Sequence, residues 1–246
     1  MASIIVEARG LVKRFGGFEA LRGVSFRVFE GEVFGLVGPN GAGKTTTLRI
    51  VAGIYEPDGG DALVLGRRPW EMDAGERKAL AYLPEEAQPY RNLTGEEFLR
   101  LYATIYGVSD VDAYVREAGE ISGLGGKLRE KTGGYSKGMK RRLLVAAVLA
   151  VKPRLAILDE PTSGLDPLYS VGLRELILEY NRRYGVTVLL SSHNMLEVEY
   201  LSDRIALISD GVTVFEGKSD DALKAAKASN LEEAFIKLVR GGGGVR

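Results

Sequence analysis

The spacing of apolar residues predicts a chain that opens with strands and then forms a strand, a loop and a helix. Short β-rich runs occupy residues 4–6, 24–29 and 32–37. The glycines that separate these runs are Gly10, Gly16, Gly17, Gly23 and Gly31. A helical pattern follows at residues 44–52, and Gly53 is placed to end it.

The pattern becomes helical between residues 94 and 122. Thr94 and Glu97 have the spacing of a capping box, and apolar residues follow at helical intervals. Ser109 with Asp112 predicts the start of a second helix. We expect these segments to form a helical lobe inserted between two parts of a sheet.

Apolar runs return in the second half of the chain, separated by helical patterns. The runs are residues 155–158, 186–190 and 205–208, and the helical patterns are 168–184 and 195–201. This alternation is typical of parallel βα units, so the predicted fold class is α/β with a mixed, mostly parallel sheet. Asp210 and Gly211 predict a hairpin into residues 212–216, and helices are expected at 220–228 and 231–239.

Composition and charge exclude several functions. The chain has 33 basic and 33 acidic residues, which leaves no broad positive field for nucleic acid. Its apolar stretches are shorter than the roughly 20 residues that cross a bilayer, and it does not open on a signal-peptide pattern. The absence of cysteine excludes thiolate catalysis and zinc–thiolate sites. We expect a soluble, cytoplasmic protein without a nucleic-acid partner.

Residues 38–45, the phosphate loop, fit the pattern G-x-x-x-x-G-K-[ST]. In such loops backbone N–H groups turn towards phosphate oxygens, the lysine reaches the β and γ phosphates, and the hydroxyl ligates Mg²⁺. The alternative is a glycine turn without a ligand, but the loop lies between an apolar run and a helix, as phosphate binding requires. The predicted ATP-binding residues are Gly38, Pro39, Asn40, Gly41, Ala42, Gly43, Lys44, Thr45 and Thr46.

Asp159 and Glu160 follow the apolar run 155–158, so a buried strand would end at two carboxylates. Asp159 is placed to hold Mg²⁺, and Glu160 to polarise the attacking water. A solvent-facing acidic strand end is the alternative. The phosphate loop in the same chain favours the catalytic interpretation.

Further segments resemble the ABC ATPases. Tyr-Ser-Lys-Gly-Met at residues 135–139, the signature segment, resembles their signature, and Ser-Gly-Leu-Asp at residues 163–166 resembles their D-loop. His193, the only histidine, follows the apolar run 186–190 as the switch histidine of the family does. Phe15 resembles the aromatic residue on which these proteins stack adenine. The ordered set covers nearly the whole chain.

The resemblance implies a P-loop NTPase core with an N-terminal antiparallel β subdomain and an inserted helical lobe. One domain over residues 1–240 is expected, with core 1–84 and 155–216, lobe about 85–152, C-terminal helices 219–240 and a flexible tail 241–246. The residues implied to act on a second subunit's ATP are Ser136, Lys137, Gly138 and Met139. The implied D-loop residues are Ser163, Gly164, Leu165 and Asp166.

The resemblance also implies an ATPase in which two copies, or this chain and a homologous one, enclose two ATP molecules with Mg²⁺. Glu160 is then the catalytic residue, supported by His193. The expected metal ligands are Thr45, Asp159 and Glu85. A separate transmembrane permease is the implied partner and would hold the chain at the inner face of the cell membrane.

Two departures from the family pattern favour an exporter. Glu85 stands where many relatives have glutamine, which puts the usual role of that glutamine in question. The signature segment departs from Leu-Ser-Gly-Gly-Gln. Both variants are similar to those of ATPases that export drugs, antibiotics or polysaccharides.

Other roles within the family fit less well. A chromosome-associated ATPase would need a coiled coil between the phosphate loop and the signature segment, where no heptads occur. A ribosome-associated factor usually joins two cassettes. A soluble assembly ATPase, for example for iron–sulfur clusters, remains the alternative. Phe98, Leu101 and Tyr102 either line a groove for a permease helix or belong to the lobe core.

Overall fold

The computed structural model describes residues 3–241. Apolar runs form nine strands within this range: β1 (Ile4–Phe15), β2 (Phe18–Phe29), β3 (Val33–Val37), β4 (Gly59–Val64), β5 (Leu80–Leu83), β6 (Leu155–Asp159), β7 (Thr187–Ser192), β8 (Arg204–Ser209) and β9 (Val212–Gly217). The α-helices are α1 (Lys44–Val51), α2 (Ala74–Arg77), α3 (Gly95–Tyr106), α4 (Val111–Ser122), α5 (Lys137–Ala150), α6 (Pro167–Tyr184), α7 (Met195–Leu201), α8 (Ser219–Ala226) and α9 (Leu231–Gly241).

The strands form two sheets. The first has three antiparallel strands in the order β2-β1-β4, and the second has six in the order β5-β6-β7-β3-β8-β9. In the second sheet every pair is parallel except β8 with β9. The predicted α/β class with a mixed, mostly parallel sheet and an antiparallel N-terminal sheet is confirmed.

The parallel strands are buried because helices cover the sheet. Every residue of β3, β6 and β7 is buried, and the apolar runs predicted from the sequence coincide with these strands. Their carboxyl ends lie at the same edge, since β3 and β6 both pair in parallel register with β7. Asp159 is the last residue of β6, and the phosphate loop and His193 directly follow β3 and β7, so the topology brings them to one edge.

The first two strands are longer than the sequence predicted. The sequence pattern predicts that Gly10 and Gly23 separate strands, but each lies inside a strand of 12 residues. Gly10 has φ 59° and Gly23 has φ 131°, and the pairing of β1 with β2 shifts register between Ala8 and Leu11. These glycines therefore mark irregularities within a continuous hairpin, where positive φ suits glycine, rather than strand ends.

Helices α3, α4 and α5 lie between β5 and β6 in the chain and pack on one another. The capping box is confirmed, because Thr94 Oγ1 accepts from the Glu97 N–H at 3.2 Å and Glu97 Oε2 accepts from the Thr94 N–H at 2.7 Å. The predicted start at Ser109 is wrong: Asp110 caps α4 by accepting from the Ala113 N–H. The boundaries of the lobe at residues 85–152 stay a prediction.

The aromatic residues of α3 mostly belong to its packed face. Phe98 is buried in the core, and Tyr102 stacks on Tyr106 with ring centroids 4.7 Å apart. Leu101 is exposed. Of the predicted tail 241–246, only Gly241 is described, and it ends α9. No helix within residues 3–241 has both the length and the apolar content needed to cross a bilayer.

We expect Ile157→Ala to lower the free energy of unfolding by about 2–5 kcal/mol, because it leaves a cavity in a fully packed core. Ile157 lies in the middle of β6 with 0% of its surface exposed. Ile105→Ala is the matched control, since Ile105 is 66% exposed. Chemical denaturation of both variants measures the difference, and equal losses would contradict this assignment of the core.

Candidate nucleotide-binding site

The phosphate loop leaves the carboxyl end of β3 and enters α1 through two glycines that no other residue could replace. A Cβ at Gly38 would lie 2.1 Å from the Ile208 carbonyl oxygen. Gly43 has φ 103°, and a Cβ there would lie 2.6 Å from Leu21 Cδ2. The loop is therefore tightly packed. Its backbone and the start of α1 lie at the edge of the sheet where the parallel strands end.

Lys44 lies folded into this loop. Its ammonium donates to the carbonyl oxygens of Gly38 at 2.8 Å and Pro39 at 3.2 Å. It also lies 3.3 Å from Glu160 Oε1, and each side chain of the pair is only 6% exposed. The cation is thus fixed between the loop and the end of β6.

Thr45 and Asp159 lie together at the first turn of α1. The Thr45 hydroxyl donates to Asp159 Oδ1 at 3.2 Å, and the Ser191 hydroxyl donates to the same oxygen at 2.6 Å. A hydroxyl and a carboxylate are the hard oxygen ligands that Mg²⁺ prefers, and Mg²⁺ usually takes its other ligands from phosphates and water. Within residues 3–241 no group of three or more His, Cys, Asp or Glu side chains is placed to hold a metal ion by itself.

Glu160 has the most constrained conformation in the site. Its φ is 47°, which is unusual for a residue other than glycine. The carboxylate contacts Lys44 through Oε1 and His193 Nδ1 through Oε2 at 2.9 Å, while the Glu160 N–H donates to Ser191 Oγ at 2.9 Å. His193 is 46% exposed, so it joins the buried carboxylate to the surface.

Arg141, which the sequence reasoning missed, ties α5 to this site. It is 7% exposed, and burial lowers the pKa of its guanidinium to about 10. Its nitrogens donate to the backbone carbonyl oxygens of Pro84, Glu85, Asp159, Glu160 and Pro161. The sequence signal was weak, because Arg141 lies in the basic run at residues 140–142 near the start of α5 and its type does not distinguish it from its two neighbours.

A cavity of about 310 Å³ opens above the phosphate loop. Asp159 is not part of its lining, which brings together most of the predicted ATP-binding residues with two of the three predicted acidic side chains: Asn40, Gly41, Gly43, Lys44, Thr45, Thr46, Glu85 and Glu160. Ala20 and Phe18 complete the lining. Phe18 was missed because it lies just after the Gly16-Gly17 turn, where no spacing rule marks it.

Phe15 is not among the residues that line this cavity. It ends β1, is 43% exposed, and packs edge-on against Tyr55 with ring centroids 5.5 Å apart. Phe18 is 65% exposed and does line the cavity. The stacking role of Phe15 stays a prediction, and Phe18 is a second candidate on the same hairpin.

The signature segment lies outside the cavity. Ser136 caps α5 by accepting from the Met139 N–H at 3.2 Å, as expected for a helix start. Ser136 and Lys137 are exposed, whereas Gly138 is buried and a Cβ there would lie 2.9 Å from the Tyr169 ring. The first residues of α5, whose N–H groups have no partner within a helix, therefore begin at the protein surface.

The D-loop residues, Ser163 to Asp166, connect β6 to α6. Asp166 caps α6 by accepting from the Tyr169 N–H at 3.2 Å. The Leu165 N–H donates to the Thr162 carbonyl oxygen. Lys137 lies against Gly164, whose missing Cβ would be 2.1 Å from the ammonium. The signature segment and the D-loop of one chain are therefore neighbours.

Glu85 lines the cavity but has other partners than the predicted metal ligands. The Ser163 hydroxyl donates to its Oε1 at 3.3 Å, and Arg141 donates to its backbone carbonyl oxygen. In the part of the chain that the structure describes, it makes no hydrogen bond with Thr45 or Asp159. Its role as a metal ligand stays a prediction.

A glycine loop between a buried parallel strand and a helix, facing a carboxylate at the end of a second parallel strand of the same sheet, defines a P-loop nucleotide-binding fold. Comparison with known proteins agrees. A family model described as ABC transporter matches residues 21–163. A solved structure described as the ATP binding subunit of an ABC transporter has a TM-score of 0.84 and 32% identity, covering 96% of this chain and 99% of that one.

Two curated relatives show similarity along nearly the whole chain. The probable multidrug ABC transporter ATP-binding protein YbhF of Escherichia coli K12 is 40% identical over 245 residues, which is 96% of this chain and 42% of that protein. The linearmycin resistance ATP-binding protein LnrL of Bacillus subtilis is 35% identical over 246 residues, covering 96% and 79% respectively. The chain belongs to the ABC transporter family. The family resemblance inferred from the motifs is confirmed.

We expect Lys44→Ala to weaken ATP binding by about 1.5–3 kcal/mol, because it removes a charge-assisted contact to phosphate. Isothermal calorimetry with ATP measures the change. Lys224→Ala is the control, since the Lys224 side chain is 79% exposed and lies on α8, outside the cavity lining. Equal ATP affinity in both variants would count against the phosphate loop as the binding site.

Proposed function

We propose that this chain is the ATP-binding and ATP-hydrolysing subunit of an ABC transporter, and that the transporter is an exporter. One observation carries the proposal: the Glu160 carboxylate lies between Lys44 and His193, directly beside the phosphate loop. A base, a phosphate-binding cation and a surface histidine thus meet at one point. This set suits attack of water on a bound terminal phosphate.

Each side chain has a distinct part in that reaction. Glu160 accepts a proton from water as the water oxygen attacks the γ-phosphorus and the bond to the β-phosphate oxygen breaks, which yields ADP and phosphate. Lys44 offsets the negative charge of the phosphates, and His193 orients the Glu160 carboxylate. Thr45 and Asp159 would hold Mg²⁺, which neutralises phosphate charge when bound.

The proposed reaction requires a second subunit. Ser136 and Lys137 are exposed at the start of α5 and lie outside the cavity of their own chain. A helix start of this kind favours an anion, so it would cap the γ-phosphate held by another copy or by a homologous subunit. Loss of that phosphate removes contacts that both subunits share and lets them part.

The transport role rests on the names of the relatives, which refer to multidrug transport and to linearmycin resistance. These names favour export over the alternative of a soluble assembly ATPase. A separate transmembrane permease would be the partner and would hold the chain at the inner face of the membrane. The division into core, lobe at residues 85–152 and C-terminal helices is part of the same proposal.

We expect Glu160→Gln to lower the rate of phosphate release by at least about a hundredfold, because the amide cannot accept the proton. ATP binding should persist, so the variant should form a dimer that depends on ATP. Phosphate release and light scattering with and without ATP measure these effects. Glu179→Gln, an exposed change on α6, is the control. Undiminished release from the Glu160 variant would overturn this catalytic assignment.

We expect Phe15→Ala to weaken ATP binding severalfold by removing a ring that stacks on adenine, worth about 1 kcal/mol. Phe18→Ala serves as the comparison, since Phe18 lies on the same hairpin and lines the cavity. Calorimetry with ATP and with inorganic triphosphate separates loss of adenine contact from loss of phosphate contact. A selective loss in Phe18→Ala alone would assign the stacking role to Phe18 instead.

A further inference from the structure

Glu197 is a buried carboxylate that the proposed reaction does not use. It lies in α7, four residues after His193, and is 4% exposed. Among residues 3–241 no lysine or arginine forms an ion pair with it, and its oxygens are held by hydroxyl groups instead. Burial of a charge without a cation is costly, so its hydrogen bonds must hold it firmly.

One carboxylate oxygen of Glu197 belongs to a ring of hydrogen bonds that includes the residues on both sides of His193. The Ser192 hydroxyl donates to Glu197 Oε2 at 3.1 Å, and Ser192 Oγ accepts from the Asn194 N–H at 3.0 Å. Asn194 Oδ1 accepts from the Glu197 N–H at 3.2 Å, which closes a ring of hydrogen bonds. The residues before and after His193 are both members of this ring.

The other carboxylate oxygen reaches the segment that carries Glu160. The Thr162 hydroxyl donates to Glu197 Oε1, and Thr162 lies two residues after Glu160. The Ser163 N–H donates in turn to the Glu160 carbonyl oxygen at 3.2 Å. Glu197 therefore bridges the two segments whose side chains meet at the 2.9 Å contact between His193 and Glu160.

We propose that Glu197 is a positioning residue that sets the distance and orientation of His193 relative to Glu160. Its charge strengthens both hydroxyl contacts, since hydrogen bonds to an ionised acceptor are shorter and stronger than neutral ones. Glu197 is not among the residues that line the cavity above the phosphate loop, and it acts through His193. The inference deepens the proposed function and rests on it for the effect on ATP hydrolysis.

We expect Glu197→Ala to lower kcat for ATP hydrolysis by about tenfold to a hundredfold with little change in ATP affinity, because small displacements of catalytic groups have effects of this size. Glu199→Ala, an exposed glutamate in the same helix, should leave both values unchanged. In a His193→Ala background, Glu197→Ala should cost less than twofold, since a residue that acts through His193 has little left to position. Multiplicative losses in the double variant would overturn the proposed route through His193.

A second measurement does not depend on activity. His193 is the only histidine, so the Cε1–H proton of its imidazole ring gives a single signal in a nuclear magnetic resonance spectrum of the protein. We expect this signal to move in Glu197→Ala and to stay in place in Glu199→Ala. An unmoved signal together with unchanged kcat overturns the inference. A wild-type protein that binds ATP without hydrolysing it contradicts the proposed function instead, while the imidazole signal still tests Glu197.

If the Glu197→Ala protein does not fold, Thr162→Val tests the same contact. This change removes the hydroxyl that contacts Glu197 Oε1 and keeps the shape of the 8% exposed side chain. It should shift the imidazole signal and lower kcat in the same direction as Glu197→Ala. A folded Thr162→Val protein, judged by thermal unfolding, with wild-type signal and wild-type kcat overturns the bridge.

Discussion

The ion pair between the Lys44 ammonium and the Glu160 carboxylate is the interaction on which the site depends. It joins the phosphate loop after β3 to the end of β6, and β7 lies between these strands in the sheet. Each side chain is 6% exposed, so removal of either leaves the other charge buried without its partner. The parallel register of the three strands brings the two groups together, because all three carry their carboxyl ends to one edge.

A second constraint is the backbone at Glu160. Its φ of 47° costs energy, and such strain persists only where neighbouring groups hold it in place. Ser191 accepts from the Glu160 N–H, and Arg141 donates to the carbonyl oxygens of Asp159 and Glu160. The guanidinium also donates to the carbonyl oxygens of Pro84 and Glu85, which follow β5. Arg141 therefore connects α5, the helix of the signature segment, to the ends of both β5 and β6. Movement of α5 would therefore shift the backbone that carries the carboxylates of Asp159 and Glu160.

This arrangement gives a physical basis for coupling between subunits. The start of α5 at Ser136 and Lys137 is exposed, while Arg141, one turn further on, donates to the carbonyl oxygen of Glu160. On the other side, Glu197 joins Thr162, next to the D-loop, to the residues that flank His193. Both surface segments that would meet a second copy are thus connected to Glu160 by buried polar contacts, which are strong in a low-dielectric interior.

The sequence by itself determined the elements and the chemistry that local pattern encodes: the buried strands ending at Asp159 and near His193, the glycines and lysine of the phosphate loop, and the capping box of Thr94 and Glu97. Periodicity and spacing are local properties, so they can be recognised from the amino-acid sequence alone. Only the tertiary structure decided that Gly10 and Gly23 lie within strands, and that Arg141, Ser191 and Glu197 support the carboxylates. Those roles arise from contacts between residues far apart in the chain, which exist only once the parallel sheet has set its register.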